Sequence, residues 1–526
     1  DGPICTALRD AGGLLAASAD YKHSYPHSWR SKAKVIYRCT PQWFVPMDKA
    51  TADGTLREKA MTAISDTRWV PEKGQNRITA MVEGRPDWVL SRQRAWGVPI
   101  TLFVDRKSGQ YLCDAAVNAR IIAGIRENGV DGWSDERAQA YLGSDYALAD
   151  YERVTDILDV WFDSGCTHAF VLESGRWPDL QWPADLYLEG SDQHRGWFQS
   201  SLLQSCGTRG RAPYNAVLTH GFTMDQKGMK MSKSLGNTIN PLDLMRDSGA
   251  DILRLWALTV DFTEDHRIGK EILQGVSDQY RKLRNTFRYL LGALDGFSDA
   301  EKVAIADMPE LERYMLHLLA DMDAKLKTAV NDFDFNNYVR LLTEFCNEDL
   351  SAFFFDIRKD CLYCDAPTDP KRMAYRTVLD TLFHALVRYA APVLVFTSEE
   401  VWQTRFPDAD SVHFSDWPEV DAGWIDTKLA ENWGRIRGAR MLANELIEPM
   451  RRNKEIGSSL EVEYSYPGDA GEIDLAEIFI VSAVHLGREA GAVKTANHKC
   501  GRCWRHLPEV AEDGALCGRC EDVVNG

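Results

Sequence analysis

The chain has 526 residues, of which 44% are hydrophobic and 26% charged, so its composition is that of a globular protein with roughly two to four domains of about 150 residues. No apolar run reaches the ~18 residues of a membrane span, the polar start "DGPICTALRDAGG" does not resemble a signal peptide, and twelve mostly isolated cysteines favour a reducing cytoplasm. The net charge of −17 argues against nucleic-acid binding, although phosphates respond to local potential and a basic cluster still attracts them.

The N-terminal part of the chain predicts an α/β sheet behind a polar connector. Residues 1–40 are short polar pieces that end in "HSYPHSWRSKAKVIYRC". Between residues 41 and 240, strand-like runs such as "AVLTHGF" alternate with helix-like runs such as "GWFQSSLLQSC". This alternation predicts a parallel sheet with helical connections. Residues 105–155 are acidic and rich in turn residues, which predicts an insertion in that sheet.

A lysine-rich segment follows the last of these strands. "KGMKMSKSLGN", residues 227–237, has neither helical nor strand periodicity, and hereafter we call it the lysine loop. Lys230 and Lys233 are three residues apart, so a turn directs both ammonium groups at one anion, to which Ser232 adds a hydroxyl donor. Such a loop is suited to a triphosphate and to the charge that develops on a departing pyrophosphate. On spacing alone, however, a solvated basic turn is the better interpretation.

Helices dominate the region after the loop. Asn240 and Pro241 predict a helix start and Gly249 a helix stop. From about residue 271 to 405 the pattern is almost wholly helical, which predicts an α-helical bundle. Thr397 with Glu400 predicts a capping box.

The first long helix of this bundle has two faces. Its apolar face carries Tyr280, Leu283, Phe287 and Leu290. A basic set stands largely apart from that face and comprises Arg281, Arg284 and Arg288. These arginines suit RNA phosphates, and a solvated helix face is the alternative interpretation.

The C-terminal segment predicts a metal site. Residues 431–495 are of mixed character, and residues 496–526 stand apart from them. Within the latter, two Cys-x2-Cys pairs are separated by a short spacer and supply four thiolates, from Cys500, Cys503, Cys517 and Cys520. A segment of about 30 residues cannot fold on an apolar core of its own, so metal binding would supply its folding energy. We therefore predict one structural Zn²⁺, whose coordination positions are all filled by the four sulfurs. The alternative interpretation is four free thiols.

Two further features concern this C-terminal part of the chain. Cations and an aromatic residue surround the cysteines, and such a group suits RNA through phosphate attraction and base stacking. The alternative interpretation is a solvated rim with a small core tryptophan. The residues are His498, Lys499, Arg502, Trp504, Arg505 and His506. The separate pair Cys361-x2-Cys364 predicts two packed cysteines.

Several segments together resemble one enzyme family. "KMSKS" at 230–234 is similar to the second signature of class I aminoacyl-tRNA synthetases. The segments that resemble bacterial isoleucyl-tRNA synthetases in particular are "LEGSDQHRGWFQSSLL" at 188–203, "DVWFDSG" at 159–165, "WVLSRQRAWGVPI" at 88–100 and "IYRCTPQWF" at 36–44. The tail cysteines resemble the zinc unit that ends those enzymes. The resemblance runs along the whole chain and makes the nucleotide-binding interpretation of the lysine loop the preferred one.

The resemblance implies an activity and its substrates. The expected reaction is that of a ligase forming a carbon–oxygen bond: isoleucine and Mg-ATP give isoleucyl-adenylate, and isoleucine is then transferred to tRNA(Ile), with valine editing in the full-length enzyme. The implied partners are tRNA(Ile), ATP and L-isoleucine, the implied cofactors are Mg²⁺ with ATP and the single zinc, and the implied state is a cytoplasmic monomer that does not enter membranes.

The resemblance also assigns residues. The set for isoleucine and its adenylate is Glu189, Gly190, Asp192, Gln193, Trp161 and Trp197, with Glu189 near the ammonium group and the tryptophans as apolar walls. The set for ATP is Lys230, Met231, Ser232, Lys233, His220 and Gly221, of which Lys230 and Lys233 are the catalytic residues. None of these residues is a nucleophile, so the implied catalysis is positioning and charge stabilisation.

The implied fold is α/β, the second half of a Rossmann-like parallel-sheet nucleotide-binding domain followed by a helical bundle, a small mixed region and a zinc unit. The implied domains are the C-terminal edge of an editing insertion with its return linker at 1–40, the second half of the catalytic domain at 41–240, stem-contacting helices at 241–270, the anticodon-binding domain at 271–430, an α/β junction at 431–495 and the zinc unit at 496–526.

One signature of the family is missing from the sequence. None of the twelve histidines stands in the His-x-Gly-His pattern that helps to hold ATP. We therefore expect this chain to be the C-terminal part of a longer enzyme, without a complete editing site and inactive alone. Two alternatives remain open at this stage: a different nucleotidyl-transferring enzyme with the same nucleotide fold, and a non-catalytic zinc-containing RNA-binding module.

Overall fold

The computed structural model describes residues 2–28, 31–469, 471 and 473–525. The chain divides into two compact units. The first unit consists of residues 1–187 and 192–217, and the second consists of residues 188–191 and 218–526. Each unit is described below on its own.

The first unit combines helices with short strands. Its helices are α1 (Pro3–Asp10), α2 (Leu56–Asp66), α3 (Lys73–Glu83), α4 (Ala115–Asn128), α5 (Asp135–Leu142), α6 (Val160–Gly165) and α7 (Trp197–Arg209), with a π-helical turn at His168–Leu172. Its strands are β1 (Phe44–Val45), β2 (Arg68–Val70), β3 (Trp88–Val89), β4 (Ser91–Arg92), β5 (Phe103–Asp105), β6 (Tyr151–Arg153), β7 (Ile157–Leu158), β8 (Ala184–Gly190) and β9 (Tyr214–His220), of which β8 and β9 each end with three residues assigned to the second unit.

The main sheet has the strand order β2–β9–β8. The helix α7 connects the neighbours β8 and β9, which is the connection that a parallel pair of strands requires. Every residue of α7 from Phe198 to Cys206 is buried, because α2 and α6 pack against this helix. The predicted α/β fold class is confirmed. The pairs β1–β3, β4–β7 and β5–β6 are small antiparallel ribbons beside this sheet.

A second apolar cluster lies within the first unit. It is built from β5, α4, α5 and the segment between them, and its buried members are Phe103, Val117, Ile121, Trp133, Ala138, Tyr141 and Leu142. The predicted insertion at 105–155 overlaps this cluster, and its assignment as a separate domain stays a prediction.

The second unit is mainly helical and ends in short strands. Its helices are α8 (Pro241–Ser248), α9 (Ala250–Thr259), α10 (Lys270–Ala293), α11 (Glu310–Asn331), α12 (Phe335–Glu344), α13 (Phe355–Cys364), α14 (Pro370–Ala390), α15 (Val395–Arg405), α16 (Thr427–Arg452), α17 (Leu475–Phe479) and α18 (Gly518–Asn525), with a π-helical segment at Phe345–Phe354. Its strands are β10 (Thr223–Met224), β11 (His266–Arg267), β12 (Val462–Tyr466), β13 (Ala483–Leu486), β14 (Gly491–Lys494), β15 (His498–Lys499) and β16 (His506–Leu507).

The long helices share one apolar core. On α10, Leu283, Phe287 and Leu290 are buried and Tyr280 is partly buried, which confirms the predicted apolar face of this helix. Beyond α16, a small sheet of order β13–β12–β14 continues the same core, with β12 parallel to β13 and antiparallel to β14.

Helix ends show where local sequence signals hold and where they fail. The Asn240 side chain accepts a hydrogen bond of 3.1 Å from the Leu242 N–H at the start of α8, and Gly249 ends that helix with φ +84°, as predicted. The predicted capping box at Thr397 and Glu400 is wrong, because α15 begins at Val395. A carboxylate from another helix caps it instead: buried Asp251 of α9 accepts the Thr397 N–H at 2.8 Å and its hydroxyl at 2.6 Å.

A buried ion cluster joins the helices to the small sheet region. Arg358 of α13 donates to both oxygens of Glu312 on α11, at 2.7 and 2.8 Å, and to Glu477 of α17 at 2.8 Å. The side chains are 4%, 0% and 14% exposed, respectively. Burial alone lowers the pKa of Arg358, but the two carboxylates outweigh it and raise that pKa overall. The arginine therefore stays charged in the core.

Glu312→Gln removes one charge of this cluster and leaves the arginine underpaired in the core. We expect the free energy of unfolding to fall by about 3 kcal/mol, since a buried charge without its partner is costly. Urea denaturation followed by tryptophan fluorescence measures this loss. The matched control, Glu344→Gln, removes the exposed partner of Arg340 and costs below about 0.5 kcal/mol. Equal losses for the two variants would contradict the assigned role of the cluster.

Candidate functional site

The lysine loop is held by a carboxylate and an amide. Asp225 accepts the backbone N–H groups of Lys227 at 2.9 Å and Met229 at 2.8 Å with one oxygen, and the Asn237 amide at 2.9 Å with the other. The Asn237 carbonyl oxygen in turn accepts the Ser232 N–H at 2.9 Å. These donors, with the Asn237 amide first, lower the pKa of Asp225. The two side chains thus close the loop at both ends.

The two catalytic candidates project from this frame. Lys230 and Lys233 are exposed, and neither is in an ion pair with any described residue. The Lys230 ammonium lies 5.6 Å from the centroid of the Phe222 ring. Ser232 donates or accepts a 3.1 Å hydrogen bond with Ser234, and Met231 packs against the helical core of the second unit. The loop therefore presents unneutralised cations on an anchored backbone, an arrangement suited to an anion.

His220 and Gly221 close the strand that leads into the loop. His220 is half-buried at the end of β9, and its Nδ1 lies 2.8 Å from the Gly221 carbonyl oxygen. A Cβ atom on Gly221 would lie 2.3 Å from the backbone of Glu264. Gly221 is thus required by close backbone packing against Glu264.

Glu189 and Gly190 end β8 in the second unit. Glu189 is exposed, and its carboxylate accepts the Gly190 N–H at 3.0 Å. Within the described part of the chain it has no cationic partner. An exposed, unpaired carboxylate at a strand end suits the ammonium group of an amino acid.

The remaining predicted residues lie in the first unit, where they meet around Gly196. A Cβ atom on Gly196 would lie 2.4 Å from Gln193 Oε1 and 2.8 Å from the Trp161 ring. Gln193 Oε1 also accepts the Trp197 N–H at 3.0 Å. The structure thus brings Trp161, Gln193 and Trp197 together, whereas Asp192 is exposed and hydrogen-bonded to Gln193.

The sequence analysis did not identify the residues that support Trp197. Its indole ring stacks on Tyr187 with centroids 4.1 Å apart and an interplanar angle of 7°. Its Nε1 donates to the Ser164 carbonyl oxygen at 3.0 Å. The sequence marks Tyr187 only as an aromatic residue of the run that forms β8, without indicating its partner, and Ser164 contributes a backbone oxygen that no side-chain pattern indicates.

The four tail cysteines converge as predicted. Their sulfur atoms lie within 4.8 Å of one another and all four residues are buried. The Sγ atoms of Cys503 and Cys517 are 3.8 Å apart, which is about the spacing of two ligands in a tetrahedron with Zn–S bonds of about 2.3 Å. The donor set and its dimensions therefore fit a zinc ion with four thiolate ligands.

Backbone hydrogen bonds favour a thiolate at Cys500, whereas burial raises the pKa of Cys503 and of Cys517. Burial raises the pKa of Cys500, but the N–H groups of Cys503, Arg502 and Cys517 outweigh burial and lower it to about 6. At Gly501, a Cβ atom would lie 2.4 Å from the Gly514 carbonyl oxygen, so the tight turn needs a glycine.

The pair Cys361 and Cys364 is buried, as predicted, and Cys364 has an unexpected neighbourhood. Cys364 belongs to the same apolar cluster as the four tail cysteines. Arg502 links the two regions, because it donates to the Cys364 carbonyl oxygen at 2.5 Å and lies 3.6 Å from Cys520 Sγ. Burial raises the pKa of Cys364 to about 11, which keeps it a thiol.

Comparison with known proteins adds three family matches and several relatives. Residues 16–269 match the family described as class I tRNA synthetases (I, L, M and V), residues 312–466 the anticodon-binding domain of tRNA ligases, and residues 497–523 a zinc finger found in FPG and IleRS. The isoleucine–tRNA ligase of Zymomonas mobilis subsp. mobilis is 62% identical over 100% of this chain and 58% of its own length. Those of Gluconobacter oxydans and Caulobacter vibrioides are 50% and 51% identical, over 99% and 98% of this chain and 57% and 55% of theirs. The chain thus spans little more than half the length of these relatives. In the described part of the chain, no helix combines the length and the apolar character that crossing a bilayer requires.

Removal of one zinc ligand provides a test of the metal centre. We expect about one zinc per chain in the parent protein and a loss of most of it in Cys500→Ser, because a serine hydroxyl does not supply the thiolate that the tetrahedral site needs. Metal analysis by plasma mass spectrometry measures this. The control Cys113→Ser changes an exposed cysteine and retains the metal. Full zinc in Cys500→Ser, or none in the parent protein, would contradict the assignment.

Proposed function

Because the chain belongs to the isoleucine–tRNA ligase family of class I aminoacyl-tRNA synthetases, we propose that this protein activates isoleucine with ATP and transfers it to tRNA(Ile). The relatives named isoleucine–tRNA ligase extend well beyond the chain, so the activity of the whole enzyme is part of the proposal. The expectation that this chain alone is inactive stays a prediction.

The lysine loop is the observation that carries the proposal. Lys230 and Lys233 are exposed cations without a carboxylate partner among the described residues, on a protein whose net charge is −17. Other exposed lysines are of both kinds: Lys325 is paired with Asp321 at 2.6 Å, whereas Lys282 has no carboxylate partner among the described residues. Leaving two cations unpaired on a hydrogen-bonded frame favours the binding of a polyanion, and the family match supports ATP as that polyanion.

In the first proposed step, a carboxylate oxygen of isoleucine attacks the α-phosphorus of ATP and pyrophosphate leaves. Lys233 stabilises the negative charge that grows on the departing pyrophosphate. Lys230, the Ser232 hydroxyl and the Met231 backbone assist it. His220 and Gly221 are proposed to lie beside the nucleotide. Mg²⁺, when bound with ATP, supplies further neutralisation of the phosphates.

The amino acid is proposed to bind through its ammonium group and its side chain. Glu189 accepts the ammonium group, and Gly190 allows the ligand to approach the backbone closely. Trp197, fixed by its stack on Tyr187, and Trp161, whose side chain is 41% exposed, contribute apolar walls. Asp192 and Gln193 contribute polar contacts to the adenylate.

In the second step, a ribose hydroxyl of the tRNA terminus attacks the adenylate carbonyl and AMP leaves. The proposed RNA contacts include the basic face of α10. Its three arginines differ in whether they are paired with a carboxylate. Arg281 pairs with Asp278, and Arg284 lies 3.3 Å from Glu400. Arg288 is exposed and has no ion-pair partner among the described residues, so it is the strongest candidate of the three.

The zinc unit is the second proposed RNA contact. Trp504 is 62% exposed, which argues against the core-tryptophan alternative, and the Lys499 ammonium lies 5.3 Å from its ring centroid. Together they offer a stacking surface beside a cation. Arg502, by contrast, is committed to the neighbouring helix. A cytoplasmic location and a monomeric state complete the proposal.

The lysine loop can be tested in an enzyme of the relatives' full length. We expect Lys233→Ala to lower isoleucine-dependent ATP–pyrophosphate exchange by about 10²–10³-fold, because one preorganised donor to the transition-state charge is lost. The matched control Lys227→Ala removes another exposed lysine of the same loop and retains exchange within about twofold. Equal activity of Lys233→Ala and the control would overturn the proposed role, and absence of exchange in the parent enzyme would overturn the proposed function.

A further inference from the structure

A recess in the first unit is lined by arginines. It has a volume of about 640 Å³ and lies where the end of α3 meets the start of α7. Its lining residues include Arg77, Gly84, Arg85, Arg195 and Gln199. None of these lining residues is acidic, and Glu83, the exposed carboxylate next to Gly84 in the chain, is not part of the wall. The recess is therefore a concentration of positive charge on an acidic protein.

Arg85 is fixed in the wall and is not fully paired. Its Nη1 donates to Gln199 Oε1 at 2.5 Å, and its guanidinium carbon lies 5.4 Å from the Trp88 ring centroid. Its Nε is buried and has no hydrogen-bond partner in the described part of the chain. Burial lowers the pKa of Arg85, and Asp159 opposes that effect. A charged group oriented in this way gains from an anion that completes its hydrogen bonds.

The other two arginines contrast with their neighbours in the same unit. Arg57 binds Asp48 at 2.7 Å and Arg92 binds Asp159 at 3.1 Å. Arg77 and Arg195 are exposed and form no ion pair with any residue that the structure describes. Arg57 and Arg92 are thus held by carboxylates, whereas Arg77 and Arg195, like the exposed Arg126 of α4, have no carboxylate partner among the described residues.

The recess lies beside the residues proposed to hold the amino acid. Arg195 directly precedes Gly196, against which Trp161 and Gln193 pack. Arg195 ends the 3-10 turn Ser191–Arg195 and Gln199 lies in the first turn of α7, and both residues line the recess. A group bound in the recess therefore lies close in the chain to the proposed amino-acid contacts without occupying them.

We propose that Arg77, Arg85 and Arg195 form a binding site for a backbone phosphate of the tRNA acceptor end. The inference rests on the proposed function and names a contact for its RNA substrate. Planar guanidinium groups suit phosphate oxygens through paired hydrogen bonds. The lysine loop already accounts for the phosphates of ATP, and the RNA terminus must approach the amino acid for transfer. A phosphodiester of that terminus is thus the phosphate that this position fits.

The test separates the RNA step from the ATP step in an enzyme of the relatives' full length. The double variant Arg77→Gln/Arg195→Gln changes exposed side chains only, and its folding is checked by thermal unfolding. We expect KM for tRNA(Ile) in aminoacylation to rise about tenfold or more, since hydrogen bonds to charged groups are lost. The slope of log affinity against log salt should fall by about 0.7, as expected for the loss of one phosphate contact on a single strand. Isoleucine-dependent pyrophosphate exchange without tRNA should stay within about twofold.

Two further variants sharpen the test. Arg126→Gln removes an exposed arginine of α4 outside the recess and should change neither reaction. Arg85→Lys keeps the charge but loses the planar fork, and it should raise KM for tRNA with exchange retained.

The other outcomes overturn the proposal. Lost exchange with normal tRNA affinity would assign the arginines to ATP or pyrophosphate. An unchanged KM and salt slope would make them a solvated face. A lowered unfolding temperature with loss of both reactions would make them structural partners of another segment. A parent enzyme without exchange would instead contradict the proposed function, so the two failures are distinguishable.

Discussion

The hydrogen bonds between Asp225, Asn237 and the backbone of the lysine loop are the constraint on which the proposed chemistry depends. They use one carboxylate and one amide to shape the loop, so neither Lys230 nor Lys233 is consumed in holding it. Because neither ammonium group has a carboxylate partner among the described residues, a phosphate can pair with each of them without displacing one. Because Asp225 and Asn237 accept the hydrogen bonds of the loop backbone, both lysine side chains remain available to bind an anion.

Elsewhere in the molecule, too, some cations form structural contacts and others have no carboxylate partner. Arg358 is buried with two carboxylates in the core, and Arg502 connects the zinc unit to α13. Several other cations form no ion pair with a carboxylate among the described residues. They are Lys499 beside Trp504, Arg288 on α10, and Arg77 and Arg195 of the recess. On a chain with a net charge of −17, cations without a carboxylate partner are the groups that are open to a phosphate.

The sequence was sufficient for features that depend on local chemistry. The zinc cysteines, the cap at Asn240, the apolar face of α10 and the fold class follow from spacing and periodicity. It was insufficient where distant residues meet. Asp251 caps α15 from 145 positions away, which is why the capping box at Thr397 was wrong. Similarly, no local pattern places Cys364 beside the tail cysteines, or Tyr187 under Trp197.

Chemical labelling of lysines tests the central claim most directly. An enzyme of the relatives' full length is treated with a lysine-acetylating reagent, and the modified positions are quantified by mass spectrometry with and without Mg-ATP and isoleucine. If the unpaired ammonium groups bind the polyphosphate, the ligands will protect Lys230 and Lys233 severalfold and leave Lys227 unprotected. Equal labelling of Lys230 and Lys233 with and without ligands, under conditions where ATP is shown to bind, would contradict the account.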